Sequence, residues 1–321
     1  MIFKTINNDI KTASIVLGTD IFGTGLPEND AIELIDQYVE MGGNTIDTAR
    51  VYGTMTGSYM SKSEETVGAW LKSRGGRDNI VISTKCAHPP IGNMAQSRLS
   101  LAEIEQDIDE SLISLQTDYI DIEWLHRDDL NVPVEGIIDA LNGMVKKGKI
   151  RCFGTSNWTG ARIAAANEYA EKSGQQGFSA SQIKWSAAAS SPMYDDDPTL
   201  VEMSMNEYMY YSKSKTPVFA YASQAKGFFY KYHQGGVEAL SPKAKERYMS
   251  ARNIEIYKQL IMLCDRHNIS LESAVLAALT SNTDFDTLCI VGCRTLDQVI
   301  SSMSAADIAL DYDELRGILG Y

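Results

Sequence analysis

The chain has 321 residues, 44% of them hydrophobic, with 42 acidic against 29 basic side chains and a formal net charge of −13. A surface of that sign repels phosphate backbones and anionic lipid, which argues against nucleic acid and membrane surfaces as partners. No apolar run approaches the ~20 residues that span a bilayer, and the first residues lack the basic-then-apolar form of a secretion signal, so the expectation is a soluble cytoplasmic protein.

Strand-like and helix-like runs alternate along the whole chain. After the apolar run Ile15-Val16-Leu17, residues Glu28 to Met41 carry Ala31, Ile32, Leu34, Ile35, Tyr38 and Val39 at helical spacing, and Gly42-Gly43 stops them. Thr45-Ile46-Asp47 reads as a short strand, Ser63 to Leu71 as a helix, and Ile80 to Lys85 as the next strand. A helix from Leu101 to Leu115 follows, then a strand from Tyr119 to His126, a helix from Val134 to Val145, a strand from Arg151 to Asn157 and a helix from Ala161 to Ala170. Phe178 to Trp185 and Thr216 to Tyr221 read as strands on either side of a Met- and Tyr-rich helix over Leu200 to Tyr211. Arg252 to His267 is helical, Thr287 to Gly292 is the last strand, and Thr295 opens the last barrel helix. About eight βα units are what closes a parallel barrel. No Gly-x-Gly-x-x-Gly follows an early strand, which argues against a doubly wound open sheet. The fold class expected is α/β, a single (β/α)8 TIM barrel filling residues 1–321 as one domain.

Cys86, Cys152, Cys264, Cys289 and Cys293 form no Cys-x-x-Cys pair and read as reduced thiols. Cys86 adjoins Lys85, but neighbours on a strand face opposite ways. No His, Cys, Asp or Glu grouping has metal-ligand spacing, so no metal is expected.

Asp47, Tyr52, Lys85 and His126 each lie at or just past the end of an apolar strand, spread over three successive βα units. Those strand ends face the loops that build a barrel's active site. A free phenol has a pKa near ~10; an adjacent ammonium favours phenolate, and a carboxylate holds the ammonium in place. This chemistry suits Tyr52 as proton donor, Lys85 as its tuner, Asp47 as the partner of Lys85, and His126 as a hydrogen-bond donor that orients a substrate oxygen.

Asp47-Thr48-Ala49-Arg50-Val51-Tyr52-Gly53 followed by Ser63-Glu64, Lys85 in Ser-Thr-Lys, His126 in Leu-His-Arg-Asp-Asp, and Gly154-Thr155-Ser156-Asn157-Trp158 together resemble the signature blocks of the aldo-keto reductase superfamily, in order, from about Gly18 to Asp307. The resemblance implies carbonyl reduction on a barrel, with NADPH as cofactor and NADH as the second candidate. It assigns Ser156, Asn157 and Gln182 to the nicotinamide carboxamide, Tyr221 to the stacked nicotinamide ring, and the segment from Gly292 to Gln298, with Arg294 and Gln298, to the adenosine phosphate. Two stretches depart from the pattern: Ser301-Ser302 stands where many members carry Glu-Asn, and Ala222-Ser223-Gln224 stands where Ser-Pro-Leu is common.

The implied partner is a small-molecule carbonyl substrate. The sequence leaves the substrate and the oligomeric state open, since the loops at Ile21-Phe22, Thr54 to Lys62 and His88 to Ser97 carry no readable code. His88 could line the substrate mouth or be a loop histidine without a role, and the aromatic cluster Phe228, Phe229, Tyr230 and Tyr232 could cover a ligand or pack its own loop. Two rival readings are a cofactor-binding regulatory subunit on the same fold and a hydrolase using Asp128-Asp129. The second would need its acids opposed across a scissile bond, which sequence neighbours rarely reach.

Overall fold

A computed structural model describes residues 1–7, 9–54, 60–194 and 197–319. Part of the loop read from Thr54 to Lys62, residues 55–59, lies outside the described residues. Among the described residues ten strands run in chain order: β1 Phe3–Ile6, β2 Ile10–Ala13, β3 Ile15–Gly18, β4 Thr45–Asp47, β5 Val81–Cys86, β6 Ile120–Leu125, β7 Ile150–Ser156, β8 Ser181–Lys184, β9 Val218–Tyr221 and β10 Thr287–Gly292. Strands β3 to β10 close a parallel barrel in sequence order, with β10 returning to β3 through Cys289↔Ile15 to Gly292↔Gly18.

Alternation along the strands sorts side chains into two apolar layers. Val16, Val81, Ile122, Trp124, Phe219 and Leu288 fill the barrel interior, while Ile15, Leu17, Ile46, Ile82 and Leu125 face the surrounding helices. Gly154 makes room for this filling: a Cβ there would stand 2.5 Å from the Trp124 ring and from the Ala180 carbonyl. The antiparallel hairpin β1–β2 was not apparent from the sequence, and its Ile6 and Ile10 join the interior cluster.

The helices that position the site are α1 Glu28–Glu40, α2 Lys62–Arg74 and α3 Leu101–Leu115. Helix α1 buries Ala31, Leu34, Ile35 and Tyr38 at helical spacing. The Tyr38 hydroxyl donates to Ile15 O at 2.8 Å and accepts from Thr45 N at 3.1 Å, tying the helix to both flanking strands. Ser61 caps α2 by accepting from Glu64 N, and Ser100 caps α3 by accepting from Glu103 N. Further on come α4 Val134–Lys146, α5 Gly160–Ser173, α6 Met205–Ser214, α7 Phe228–Gly235, α8 Pro242–Tyr248, α9 Ala251–His267, α10 Leu271–Thr280, α11 Leu296–Met303 and α12 Tyr312–Leu319.

The Met- and Tyr-rich helix starts later than its composition suggested. Residues Leu200 to Ser204 stay extended because Glu202 bridges to Lys184 at the end of β8, and Ser204 then caps α6. The aromatic cluster after β9 is helix α7, with Phe228 and Phe229 buried and Tyr230 exposed. All five cysteines are free, and Cys86 faces the helical layer while Lys85 points into the barrel mouth.

Candidate active site

The turn leaving β4 is zipped onto the end of β5. Thr48 N donates to Ser83 O at 2.9 Å, Arg50 N to Lys85 O at 3.0 Å, and Tyr52 N to Ala49 O at 3.0 Å. The Ser61 hydroxyl, whose oxygen also caps α2, bonds the carbonyls of Ala49 (2.9 Å) and Tyr52 (2.8 Å). Gly53 has φ 84°, a left-handed turn that a side chain would strain. Together these contacts bring the Tyr52 ring over Lys85, whose Nζ lies 4.7 Å from the ring centroid.

Asp47 and Lys85 are almost fully buried, at 2% and 1% exposure, so each charge depends on the other. Lys85 Nζ donates to Asp47 Oδ2 at 2.5 Å and to Thr48 O at 2.8 Å. The other carboxylate oxygen of Asp47 accepts from Ser83 Oγ at 2.7 Å and from Gln182 Nε2 at 3.0 Å. Burial disfavours the Lys85 ammonium, but Asp47 and Tyr52 outweigh it and the lysine's pKa is raised, so Lys85 stays charged. For Tyr52 burial is the larger influence and lifts the phenol above its ordinary 10.0, with Lys85 pulling the other way. The sequence expectation that the ammonium favours phenolate holds for the direction of that one interaction, while the net shift is upward. Tyr52 is therefore a protonated phenol throughout the neutral range.

His126 follows β6, with its backbone N bonded to Cys86 O at 3.0 Å. Its ring stands edge-on to Tyr52 at 6.0 Å and to His88 at 4.6 Å between centroids. Burial, then the nearby His88, Arg127 and Lys85, push its pKa well below the usual imidazole value, so the ring is neutral at pH 7. The four polar residues thus form one group at the mouth of the barrel.

A second connected set lies along β7 to β9. Asn157, held at φ 62° just past β7, donates from Nδ2 to Ser156 Oγ at 3.1 Å, and its backbone N bonds Gln182 O at 3.0 Å. Its Oδ1 accepts from the Tyr221 hydroxyl at 2.6 Å and from Val201 N at 3.2 Å. Ser156, Asn157, Gln182 and Tyr221 are therefore brought together, and Gln182 links this set to Asp47. Beyond β9, Ala222, Ala225 and Lys226 have φ of 53°, 49° and 53°, ahead of Gly227 at 77°. Three non-glycine residues in the left-handed region over so short a stretch is a strained arrangement of the kind that clusters at ligand sites. The turn closes on itself through Ala225 N to Ala222 O and Gly227 N to Gln224 O, each at 2.8 Å.

Arg294 is exposed at the start of the last barrel helix. Its backbone N donates to Gln298 Oε1 at 2.7 Å, and Gln298 N is capped by Thr295 Oγ1 at 3.3 Å. A Cβ on Gly25 would stand 3.8 Å from Arg294 Nη1, so the guanidinium lies against the first βα loop. The exposed guanidinium of Arg294, the helix N-terminus and the left-handed backbone fit a phosphate-bearing cofactor.

Sequence reasoning missed three contributors. Ser83 shares the interior face with Lys85, and two-residue spacing could have found it. The left-handed run after Tyr221 has no glycine to mark it until Gly227. The sequence leaves His88 between a place at the mouth and no role, and gives no sign of its ring contact with His126. Asp128 and Asp129 serve local structure: Asp128 pairs with Arg162 at 3.3 Å, and Asp129 accepts from Asn131 N at 2.9 Å. Among the described residues no grouping of three or more His, Cys, Asp or Glu side chains could hold a metal, and no helix is long and apolar enough to cross a membrane.

A closed parallel barrel carries this cluster at its strand ends, the place where such barrels build their sites, and comparison with known proteins gives it a family. The sequence profile of the aldo/keto reductase family matches residues 14–319, so the chain belongs to that family of NAD(P)H-dependent reductases. It is 26% identical to norsolorinic acid reductase of Emericella nidulans over 96% of this chain and 78% of that protein. It is also 26% identical to a probable aryl-alcohol dehydrogenase of Saccharomyces cerevisiae over 90% of this chain and 86% of that one. In three dimensions it matches the crystal structure of a thermostable aldo-keto reductase with a TM-score of 0.74 at 20% identity, covering 100% of this chain and 99% of the other.

Proposed function

We propose that this chain reduces an aldehyde or ketone to an alcohol, reversibly, with NADPH preferred over NADH, and that Tyr52 is the general acid. The observation that carries the reading is the buried Lys85 ammonium, held by Asp47 at 2.5 Å with its Nζ 4.7 Å from the centre of the Tyr52 ring. A bound nicotinamide supplies the hydride equivalent when present. Neutral His126 donates a hydrogen bond to the carbonyl oxygen and fixes its position. Tyr52 then gives its hydroxyl proton to that oxygen as negative charge develops. Lys85 stabilises the resulting phenolate, and Asp47 keeps the ammonium in place.

Ser156, Asn157 and Gln182 would hold the carboxamide, Tyr221 would stack on the nicotinamide ring, and Arg294 and Gln298 would meet the adenosine phosphate. The charge of Arg294 supports NADPH, since the extra phosphate rewards a guanidinium that NADH leaves without an anion. The whole chain is read as one catalytic domain, acting in the cytoplasm on small-molecule carbonyls. The likeness to a probable aryl-alcohol dehydrogenase supports including aromatic aldehydes among the first substrates tried. The test is NADPH oxidation by the purified protein against aromatic and aliphatic aldehydes, ketones, sugars and quinones. Turnover of at least one carbonyl class supports the reading; NADPH binding with no oxidation across the whole panel would turn it toward a cofactor-binding regulatory role.

A further inference from the structure

His88 lies just past β5 in the loop His88-Pro89-Pro90, and among the described residues its ring is the nearest aromatic neighbour of His126, at 4.6 Å and 72° between planes. His126 needs such a neighbour. Its Nδ1 is buried and has no hydrogen-bond partner among the described residues, so no bond at that nitrogen fixes the ring. The usual device for orienting a functional imidazole is a hydrogen bond at the nitrogen facing away from the reaction. Here the ring is held by packing, with Tyr52 edge-on at 6.0 Å and His88 closer.

The loop behind His88 is built to hold it still. Ala87 sits at φ 58°, a backbone region uncommon for a residue with a Cβ. Its N–H donates to Asp107 Oδ2 at 2.8 Å, and Asp107 on α3 is itself gripped by Arg98 through two bonds of 2.8 and 2.7 Å. Arg98 also reaches the His88 carbonyl at 3.4 Å. The His88 ring is pinned by its own Nδ1, 2.6 Å from Pro89 O. A carbonyl only accepts, so Nδ1 carries the hydrogen and the neutral ring is fixed in one tautomer. Left-handed backbone is retained where the surroundings over-determine it, and such positions gather at functional sites.

We infer that His88 is a positioning residue for His126: the left-handed Ala87 and the Arg98–Asp107 pair form a platform that presses the His88 ring edge-on against His126 and holds that imidazole toward the carbonyl oxygen. This rests on the reading that His126 orients the substrate. The contact with His126 is made by the ring itself, and the Nδ1 hydrogen bond to Pro89 O serves only to anchor that ring.

The test compares His88→Ala and His88→Phe in the full chain, with NADPH binding followed by tryptophan fluorescence to show that both remain folded. His88→Ala is expected to lower kcat about tenfold, the scale of one lost edge-on ring contact. KM for the carbonyl should change less than kcat. His88→Phe restores the ring and should recover kcat to within about threefold. Chemistry is shown to be limiting by a primary isotope effect with deuterated NADPH. A second readout does not need turnover: imidazole NMR of protein with labelled histidines, in which His126 is assigned by its loss in His126→Gln. Its ring signals should broaden and shift in His88→Ala and return in His88→Phe. Equal kcat loss in both variants, or unchanged kcat in His88→Ala with the isotope effect expressed, overturns the inference. If the unmodified protein reduces no carbonyl, the proposed reaction fails on its own. The NMR comparison still decides the role of His88, with unchanged His126 signals in His88→Ala counting against it.

Discussion

Gln182 Nε2 donates to Asp47 Oδ1 at 3.0 Å, joining two residues 135 positions apart in the chain. One belongs to the set proposed to hold the carboxamide, the other to the set proposed to move a proton. Their bond means that cofactor binding and the Lys85–Asp47 pair share a side chain.

Replacing Gln182 should therefore affect both functions. In Gln182→Leu, a buried carboxylate loses one donor, at a cost of about 1–3 kcal/mol. NADPH affinity and the turnover number should both fall, each by roughly tenfold. Ser156→Ala, which leaves the donors to Asp47 intact, should weaken NADPH alone. Titration by fluorescence together with steady-state kinetics separates the two; a Gln182→Leu protein impaired only in binding would contradict the coupling.

Arg294→Ala should weaken NADPH by about 10- to 100-fold, the worth of a hydrogen bond to a charged group. NADH affinity should change by less than about threefold, because that cofactor lacks the phosphate. Equal losses for both would remove Arg294 from this role.

The architecture was legible because α/β barrels repeat one rule. Apolar runs of strand length alternated with helices whose buried faces recur at helical spacing, and the ends of β4, β5 and β6 delivered Asp47, Lys85 and His126 where the alternation placed them. Local sequence is silent on what depends on distant partners. The β1–β2 hairpin is fixed by Ile6 and Ile10 entering the barrel interior, a tertiary reward that a polar segment such as Asn7 to Lys11 does not announce. Ala222, Ala225 and Lys226 take left-handed backbone although alanine and lysine do not favour it, so no residue type marked the turn. Gln182 was read from resemblance as a cofactor ligand; its bond to Asp47 follows only from barrel closure.

Glu64 offers a test of buried charge apart from turnover. Its carboxyl is fully buried with Oε1 accepting from Thr84 Oγ1 at 2.5 Å, and burial lifts its pKa from 4.5 to about 7. The folded state thus holds the proton more tightly than the unfolded chain. Stability is complete below the unfolded value, declines as pH rises between 4.5 and about 7, and stays lower above that. Glu64→Gln mimics the protonated acid at every pH. It should stabilise the fold by up to about 3 kcal/mol at pH 8 and by little at pH 4. Urea midpoints at the two pH values check this; a gain larger at the lower pH would contradict the sign.

The pKa directions at the site also set the pH profile of reduction. Tyr52 is raised above 10.0, Lys85 is raised above 10.5, and His126 lies well below 6.5. All three hold their required state across the neutral range, so kcat should be level there and should fall only above pH ~10 as the donor proton is lost. An alkaline limb centred near neutrality would assign the proton to another group.

The most direct measurement is the turnover number of Tyr52→Phe in a carbonyl reduction whose chemical step is shown to be limiting. The substitution removes the hydroxyl and its proton while leaving the ring over Lys85, so folding and NADPH binding should persist. With Tyr52 as general acid, kcat should fall by at least ~100-fold. Near-normal kcat in Tyr52→Phe, with NADPH bound as tightly as before, would contradict the account.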